Sequence, residues 1–387
     1  MRHPLNTAEI IEFLLENFHA TLSGNSGSYT PPLNTTEKAI SAMIRDARVL
    51  RSEFVPSEVV HRDQELNHLA SVLEPVTHGE SAGPALLTGP SGVGKTCLAR
   101  FVTDQLQQET LDVTVQYVNC WQAYSQFRTV YNILEGLGKT LNVHRQSTPH
   151  DELIERLRKY DGPHCVVVLD EVDQLEDKRI LYDLYAFPQF STMLIANQEE
   201  DLLADLDERI ISRYRGCDRI QFDRYGVEEL TEILQARADR GLGKNAVNRD
   251  VLRAIADAAA GDARLAITVL RSAARTAMHE QSDRITGEIV SEAIPHAQSE
   301  MHRKNLDTLT PHQRALYEVI RENSPVAPSD LYGAYRERVE SPKSDRTVRT
   351  YLSKMDRYGL IDVEGTSRDR LYLVSESRDA ATPFETQ

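Results

Sequence analysis

From residue 84 onward the apolar positions of this chain follow two alternating rhythms. PALLTG (84–89), VTVQYVN (113–119), CVVVLD (165–170) and TMLIAN (192–197) are short, mostly apolar runs, the signature of strands buried on both faces of a parallel sheet. The stretches between them suit helices, so the alternation predicts a parallel sheet covered by helices on both faces. From about 223 the strands stop. GVEELTEILQARADRGL and RDVLRAIADAAAGDARLAITVLRSAARTAM have apolar residues at i, i+3 and i+4, the spacing of helices with one buried stripe. From about 308, three helix-like runs lead into a hairpin pattern. Ahead of the sheet, Ile10, Ile11, Phe13, Leu14 and Phe18 predict a short helix over 8–21. SGNSGSYTPPLNTT (23–36) is a linker by composition. The chain therefore divides into a helix and linker (1–50), an α/β unit (51–222), a helical unit (223–300), a three-helix-plus-hairpin unit (301–378) and a tail (379–387).

A chain of 387 residues with 40% hydrophobic side chains is too long for one core and rich enough for several. No apolar run approaches the roughly 20 residues that span a bilayer, so no membrane partner is expected. The N-terminus is interrupted by glutamates and does not read as a secretory signal. Cys97, Cys120, Cys165 and Cys217 are far apart without a CxxC pair, as reduced core thiols of a cytoplasmic protein would be. The net charge of −15 is unevenly spread: residues 300–387 carry 14 basic and 15 acidic side chains, leaving 30 and 44 for residues 1–299. Only 9 of the 44 basic residues are lysine. Surplus carboxylates with few lysines suit a high-salt cytoplasm.

Chemistry enters with GPSGVGKT at 89–96, directly after the first strand. Gly89, Gly94, Lys95 and Thr96 fit the phosphate-loop pattern, and the stretch between them supplies Pro90, Ser91, Gly92 and Val93. Glycines let backbone N–H groups converge on phosphates, and the helix that follows, with Cys97 in its first turn, adds its positive end. Lys95 would neutralise the β- and γ-phosphates, and the Thr96 hydroxyl would bind Mg²⁺. VVVLDEVDQL (166–175) delivers Asp170 and Glu171 to the C-terminal edge of a strand, where open α/β sheets bind ligands. Asp170 would hold Mg²⁺ and Glu171 would polarise the attacking water. Asn197 ends another strand and can orient that water. Arg264, in the first turn of a helix, can sense the γ-phosphate. Arg209 and Arg213 lie four apart on one helix face, where either, Arg209 or Arg213, can act as an arginine finger on a neighbouring subunit's nucleotide.

These motifs, in this order, resemble the AAA+ ATPases, and most closely the archaeal origin-recognition/cell-division-control replication initiators. The resemblance extends to FVPSEVVHRDQELNHLASVL (54–73), VNCW (118–121), LDEVDQL, LYDLY (181–185), ERIISR and GDARLAI, and covers about 50–378. The pattern is that of a divergent paralogue of haloarchaeal type. It implies an AAA+ base at 51–222, a helical lid at 223–300 and a winged helix at 301–378. It also implies that Val55 and Pro56 pack around an adenine, that ATP and ADP with Mg²⁺ are the cofactors, and that the helices near 121–138 meet DNA. Origin duplex DNA, a replicative helicase and self-assembly on DNA are the implied partners, and the nucleoid the implied location.

The C-terminal pattern points to DNA by itself. In SDRTVRTYLSKMDR, Ser344 is a good N-cap. Val348, Tyr351, Leu352 and Met355 share one face, while Arg346, Arg349, Thr350, Ser353 and Arg357 share another. The first face packs and the second is free for phosphates and bases. YGLIDVEGTSRDRLYLV then forms a wing with Arg368 and Arg370 near its tip. The function expected is an ATP-switched replication initiator that is at most a weak ATPase. The alternative is an ATP-binding winged-helix regulator of transcription or plasmid maintenance with little turnover. A remodelling chaperone would carry an aromatic pore loop, for which no clear candidate is found.

Overall fold

The computed structural model describes residues 43–144, 148–203, 206–365 and 369–375. The helix expected at 8–21, the linker, the tail and Arg368 lie outside the described residues. Helix α1 (Asp63–Thr77) leads into β1 (Ala85–Thr88), α2 (Lys95–Glu109) and β2 (Val113–Asn119). Helices α3 (Gln126–Gly136) and α4 (His150–Arg158) precede β3 (His164–Asp170). Then come α5 (Arg179–Ala186), β4 (Phe190–Ile195), the short α6 (Glu199–Leu203) and α7 (Glu208–Tyr214), and β5 (Asp218–Gln221).

The five strands are all parallel, in the order β2-β3-β4-β1-β5. Alternation within β3 explains its apolar run. Val167 and Leu169 pack into a core with Ile133, Leu134 and Leu184 on one face. Val166 and Val168 pack with Leu98, Leu69 and Phe222 on the other. Because β1, β4 and β3 are neighbours, the chain leaves three adjacent strands at one edge of the sheet. That order brings the ends of three distant sequence segments together, and the Gly89 amide donates to the Asn197 carbonyl at 3.2 Å.

Four helices follow: α8 (Val227–Gly241), α9 (Arg249–Ala258), α10 (Ala263–His279) and α11 (Gly287–Asp307). Asn248, Asp262 and Thr286 cap the last three, each accepting from a backbone amide three residues on. Their core includes Leu230, Leu234, Ile255, Leu270 and Ala274, joined by Met43 and Leu50 from the entering segment. The boundary expected at 300 falls inside α11, which runs unbroken to Asp307. The helix continues because its last turns bind the next unit: Asn305 donates to the Tyr358 carbonyl at 3.1 Å, and the His302 ring bonds the Gly359 carbonyl.

The last unit comprises α12 (Pro311–Asn323), α13 (Pro328–Arg338), α14 (Asp345–Arg357) and an antiparallel hairpin of β6 (Ile361–Glu364) and β7 (Leu371–Val374). Ser344 caps α14 as expected, accepting from the Thr347 amide. Val348, Tyr351, Leu352 and Met355 are buried, in a core with Leu316, Leu331 and Tyr335. That core has one member from the α/β unit, Trp121, the single tryptophan of the chain, which is only 5% exposed. The last unit is therefore docked on the sheet-containing unit through an inserted indole.

Truncation of a buried tryptophan costs about 3–5 kcal/mol. In Trp121→Ala the C-terminal unit should therefore unfold in a separate, earlier transition. Denaturant titration followed by circular dichroism checks this; one unshifted transition would mean that the indole does not secure the docking.

Candidate functional site

The loop between β1 and α2 carries the phosphate-binding residues. Gly92 and Gly94 have positive φ of 79° and 94°, conformations that cost other residues steric strain. A Cβ on Gly92 would overlap the carboxylate of Asp262, the cap of α10. The Ala263 amide at the start of that helix also donates to the Gly92 carbonyl at 3.0 Å. The helical unit thus closes directly on the loop.

Lys95 is buried, 7% exposed. Its ammonium donates to the carbonyls of Gly89 at 2.6 Å and Pro90 at 2.7 Å, and to Asn197 Oδ1 at 3.2 Å. Burial pulls this ammonium down to about 8, against the opposing influence of Asp170 and Glu171. The Thr96 hydroxyl donates to Asp170 Oδ2 at 3.0 Å, and the Tyr117 hydroxyl donates to the same oxygen. A hydroxyl and a buried carboxylate in direct contact are hard oxygen ligands of the kind Mg²⁺ takes, so Thr96 and Asp170 fit that ion.

A cavity lies over these groups. Ser91 to Cys97, Asp170, Glu171, Asn197 and Arg264 line it. Pro56 lines it too, with Phe54, Val59, Tyr225 and Ile267 making an apolar wall, but Val55 is not part of the lining. Gly89 and Pro90 contribute through their carbonyls to Lys95. Arg213 lies elsewhere, on α7, stacked over the exposed Tyr182 at 4.1 Å with its guanidinium donating to the Arg209 carbonyl.

Three residues of this neighbourhood were given no role by the motif pattern. Arg62 donates to the carbonyls of Val93 and Asp223 and lies 4.0 Å over the Tyr225 ring, tying the loop to the chain that leaves β5. The other two, Lys354 and Tyr358, come from the last unit. Tyr358 lines the cavity and donates to Glu171 Oε2 at 2.9 Å, while Asn197 Nδ2 donates to the Tyr358 hydroxyl at 3.1 Å. The Lys354 ammonium is buried 3.5 Å from Glu171 Oε2 and 3.2 Å from the centre of the Trp121 ring. Burial pulls it down to about 8, against the pull of Glu171 and Asp173. Only the position of Lys354, three after the buried Tyr351, hinted at an inward direction.

On the outer side of α14, Arg346, Arg349 and Ser353 are exposed and Thr350 is half-buried; Arg370, after the turn, is exposed as well. Arg357 departs from the expected free face. It pairs with Asp201 of the α/β unit at 2.5 Å, because α14 docks there by its C-terminal end.

A parallel sheet with phosphate loop, paired acidic residues and closing helices defines an AAA+ P-loop module. A profile of the AAA domain matches residues 77–203, and one of the Cdc6 AAA+ ATPase-type lid domain matches 231–295. ORC1-type DNA replication protein 9 of Halobacterium salinarum is 54% identical over 345 residues, covering 89% of this chain and 97% of that one. An ORC1-type DNA replication protein of Thermococcus onnurineus is 28% identical over 374 residues, covering 89% and 90%. The structure of the Aeropyrum pernix ORC1 protein in complex with DNA superposes with a TM-score of 0.67 at 26% identity, covering 89% of this chain and 95% of that one. The chain belongs to the archaeal Orc1/Cdc6 family of ORC1-type DNA replication proteins.

Because Lys95 titrates near 8 in the free protein, triphosphate binding should keep it charged and shift its titration upward. Affinity for ATP should therefore be full below pH 8 and fall above it, by up to about tenfold per unit, the limit for one linked proton. Calorimetry in buffers of different ionisation heat should register proton uptake that grows between pH 7 and 9. Uptake independent of pH would refute the assignment.

Proposed function

We propose that this chain is an ATP-switched replication initiator. It binds origin duplex through its C-terminal winged helix together with the AAA+ module, and helps to recruit the replicative helicase. The observation that supports this most is the joining, in one chain, of a phosphate loop facing Asp170, Glu171 and Asn197 to a C-terminal three-helix-plus-hairpin unit with Arg349 and Arg370 exposed. A solved relative, the Aeropyrum pernix ORC1 protein, is in complex with DNA.

In this reading the loop amides and Lys95 bind the triphosphate, and Thr96 and Asp170 hold Mg²⁺. The ion, when bound, supplies charge that neutralises the phosphate oxygens. Glu171 accepts the proton side of the attacking water, Asn197 orients it, and Arg264 senses the γ-phosphate from the lid. Arg213 serves a neighbouring subunit on DNA. Hydrolysis ends the gripped state. The reading as a regulator with little turnover is favoured by one observation: Glu171 and Asn197 are both engaged by Tyr358.

Lys95 meets ground-state phosphates, whereas Glu171 acts mainly in the transition state. Lys95→Ala should abolish nucleotide binding, and Glu171→Gln should bind ATP normally while hydrolysing it at least about a hundredfold more slowly, the usual size of a general-base effect. Equilibrium binding with single-turnover hydrolysis measures both, and normal hydrolysis in Glu171→Gln would remove the catalytic assignment.

Binding to DNA should depend on Arg349 and Arg370. A chain of net charge −15 gains little from long-range attraction, so base contacts must carry specificity; one Arg–guanine pair discriminates by about 1–3 kcal/mol. Salt titrations on origin and random duplexes should show Arg349→Ala losing specificity more than non-specific affinity. A steep salt slope with equal affinity for both duplexes would sink the winged-helix reading.

A further inference from the structure

The C-terminal unit does more at the nucleotide site than pack beside it. The Tyr358 oxygen stands 2.9 Å from Glu171 Oε2 and 3.1 Å from Asn197 Nδ2. It gives its proton to the carboxylate and takes one from the amide. A water prepared for attack would make the same pair of hydrogen bonds with the same two side chains. The phenol therefore occupies the position of that water, and the Lys354 ammonium, buried 3.5 Å from the same carboxylate oxygen, holds the carboxylate where it is.

The surroundings fix this arrangement. Tyr358 meets Trp121 edge to face at 4.7 Å, and its carbonyl accepts from Asn305. Two further straps hold α14 to the same unit. Glu176 accepts from Tyr351 at 3.2 Å and pairs with Lys343 at 3.1 Å, and Arg357 pairs with Asp201. All of these contacts lie on α14 or at its ends, and the opposite side of the same helix exposes Arg346 and Arg349. A helix moves as one body, so any displacement of α14 that duplex binding at Arg349 imposes also withdraws Lys354 and Tyr358.

We propose that Lys354 and Tyr358 are positioning residues that keep Glu171 and Asn197 from the attacking water until duplex DNA displaces α14. The inference rests on the reading of Glu171 as the residue that polarises water. It adds that hydrolysis is restrained by the docked C-terminal unit rather than merely slow.

The test is hydrolysis by the full-length chain, with and without duplex, in wild type, Tyr358→Phe, Lys354→Met and Glu171→Gln. Tyr358→Phe keeps the ring on Trp121 and removes only the hydroxyl; Lys354→Met keeps the apolar stem. Without duplex, each should raise kcat about tenfold or more, the factor for one hydrogen bond to a charged group, with KM for ATP unchanged. Duplex should accelerate wild type towards these variants and add little to them. It should also change the emission of Trp121, the only tryptophan. A folded Tyr358→Phe with KM unchanged and kcat at or below wild type overturns the proposal, as does duplex that leaves both wild-type kcat and Trp121 emission unaltered. Glu171→Gln separates the two readings. Normal hydrolysis in that variant overturns the role of Glu171 and this proposal with it. Loss of hydrolysis there, beside an unaltered Tyr358→Phe, overturns the restraint alone.

Discussion

Three carboxylates, Asp170, Glu171 and Asp173, lie at or just beyond the end of one strand buried on both faces, and their compensation organises much of this molecule. Charges removed from water are costly unless paired and hydrogen-bonded. Asp170 takes hydroxyl donors from Thr96 and Tyr117. Glu171 is held by Tyr358 and Lys354. Burial pushes the Asp173 carboxyl upward, and the Lys354 ammonium opposes that shift. The two lysines that face this cluster come from opposite ends of the sequence, and burial lowers both, to about 8. The phosphate loop and the C-terminal unit thus meet the same acidic strand end.

The sheet order is what makes this possible. With β4 between β1 and β3, the Asn197 side chain stands between Lys95 and Tyr358 and bonds to both. A side chain at that position can pass a change on one side of the site to the other. The lid adds a second link, through the Ala263 amide on Gly92 and the Asp262 carboxylate packed against the same glycine. Residues of the loop, the lid and the C-terminal unit, Gly92, Arg264 and Tyr358 among them, line the same cavity.

Much of this was legible in the chain itself. The apolar runs specify the buried strands because a parallel sheet demands side chains suited to both faces. GPSGVGKT, the acidic pair after VVVL and the cap at Ser344 are local solutions to local constraints, and each stands where the sequence puts it. What the chain could not state is which distant surfaces meet. Arg357 lies on the polar face of α14 by every local rule, yet it pairs with Asp201. Trp121, Lys354 and Tyr358 lie in stretches whose patterns give those three side chains no role, and their contacts arise only because α14 docks against the strand edge. The boundary expected at 300 likewise missed that α11 runs on to bind the last unit. Periodicity and capping are set by neighbours within a few residues. Docking is set by the summed burial and pairing of surfaces more than 150 residues apart, such as Asn197 and Tyr358, and that sum exists only once the chain has folded.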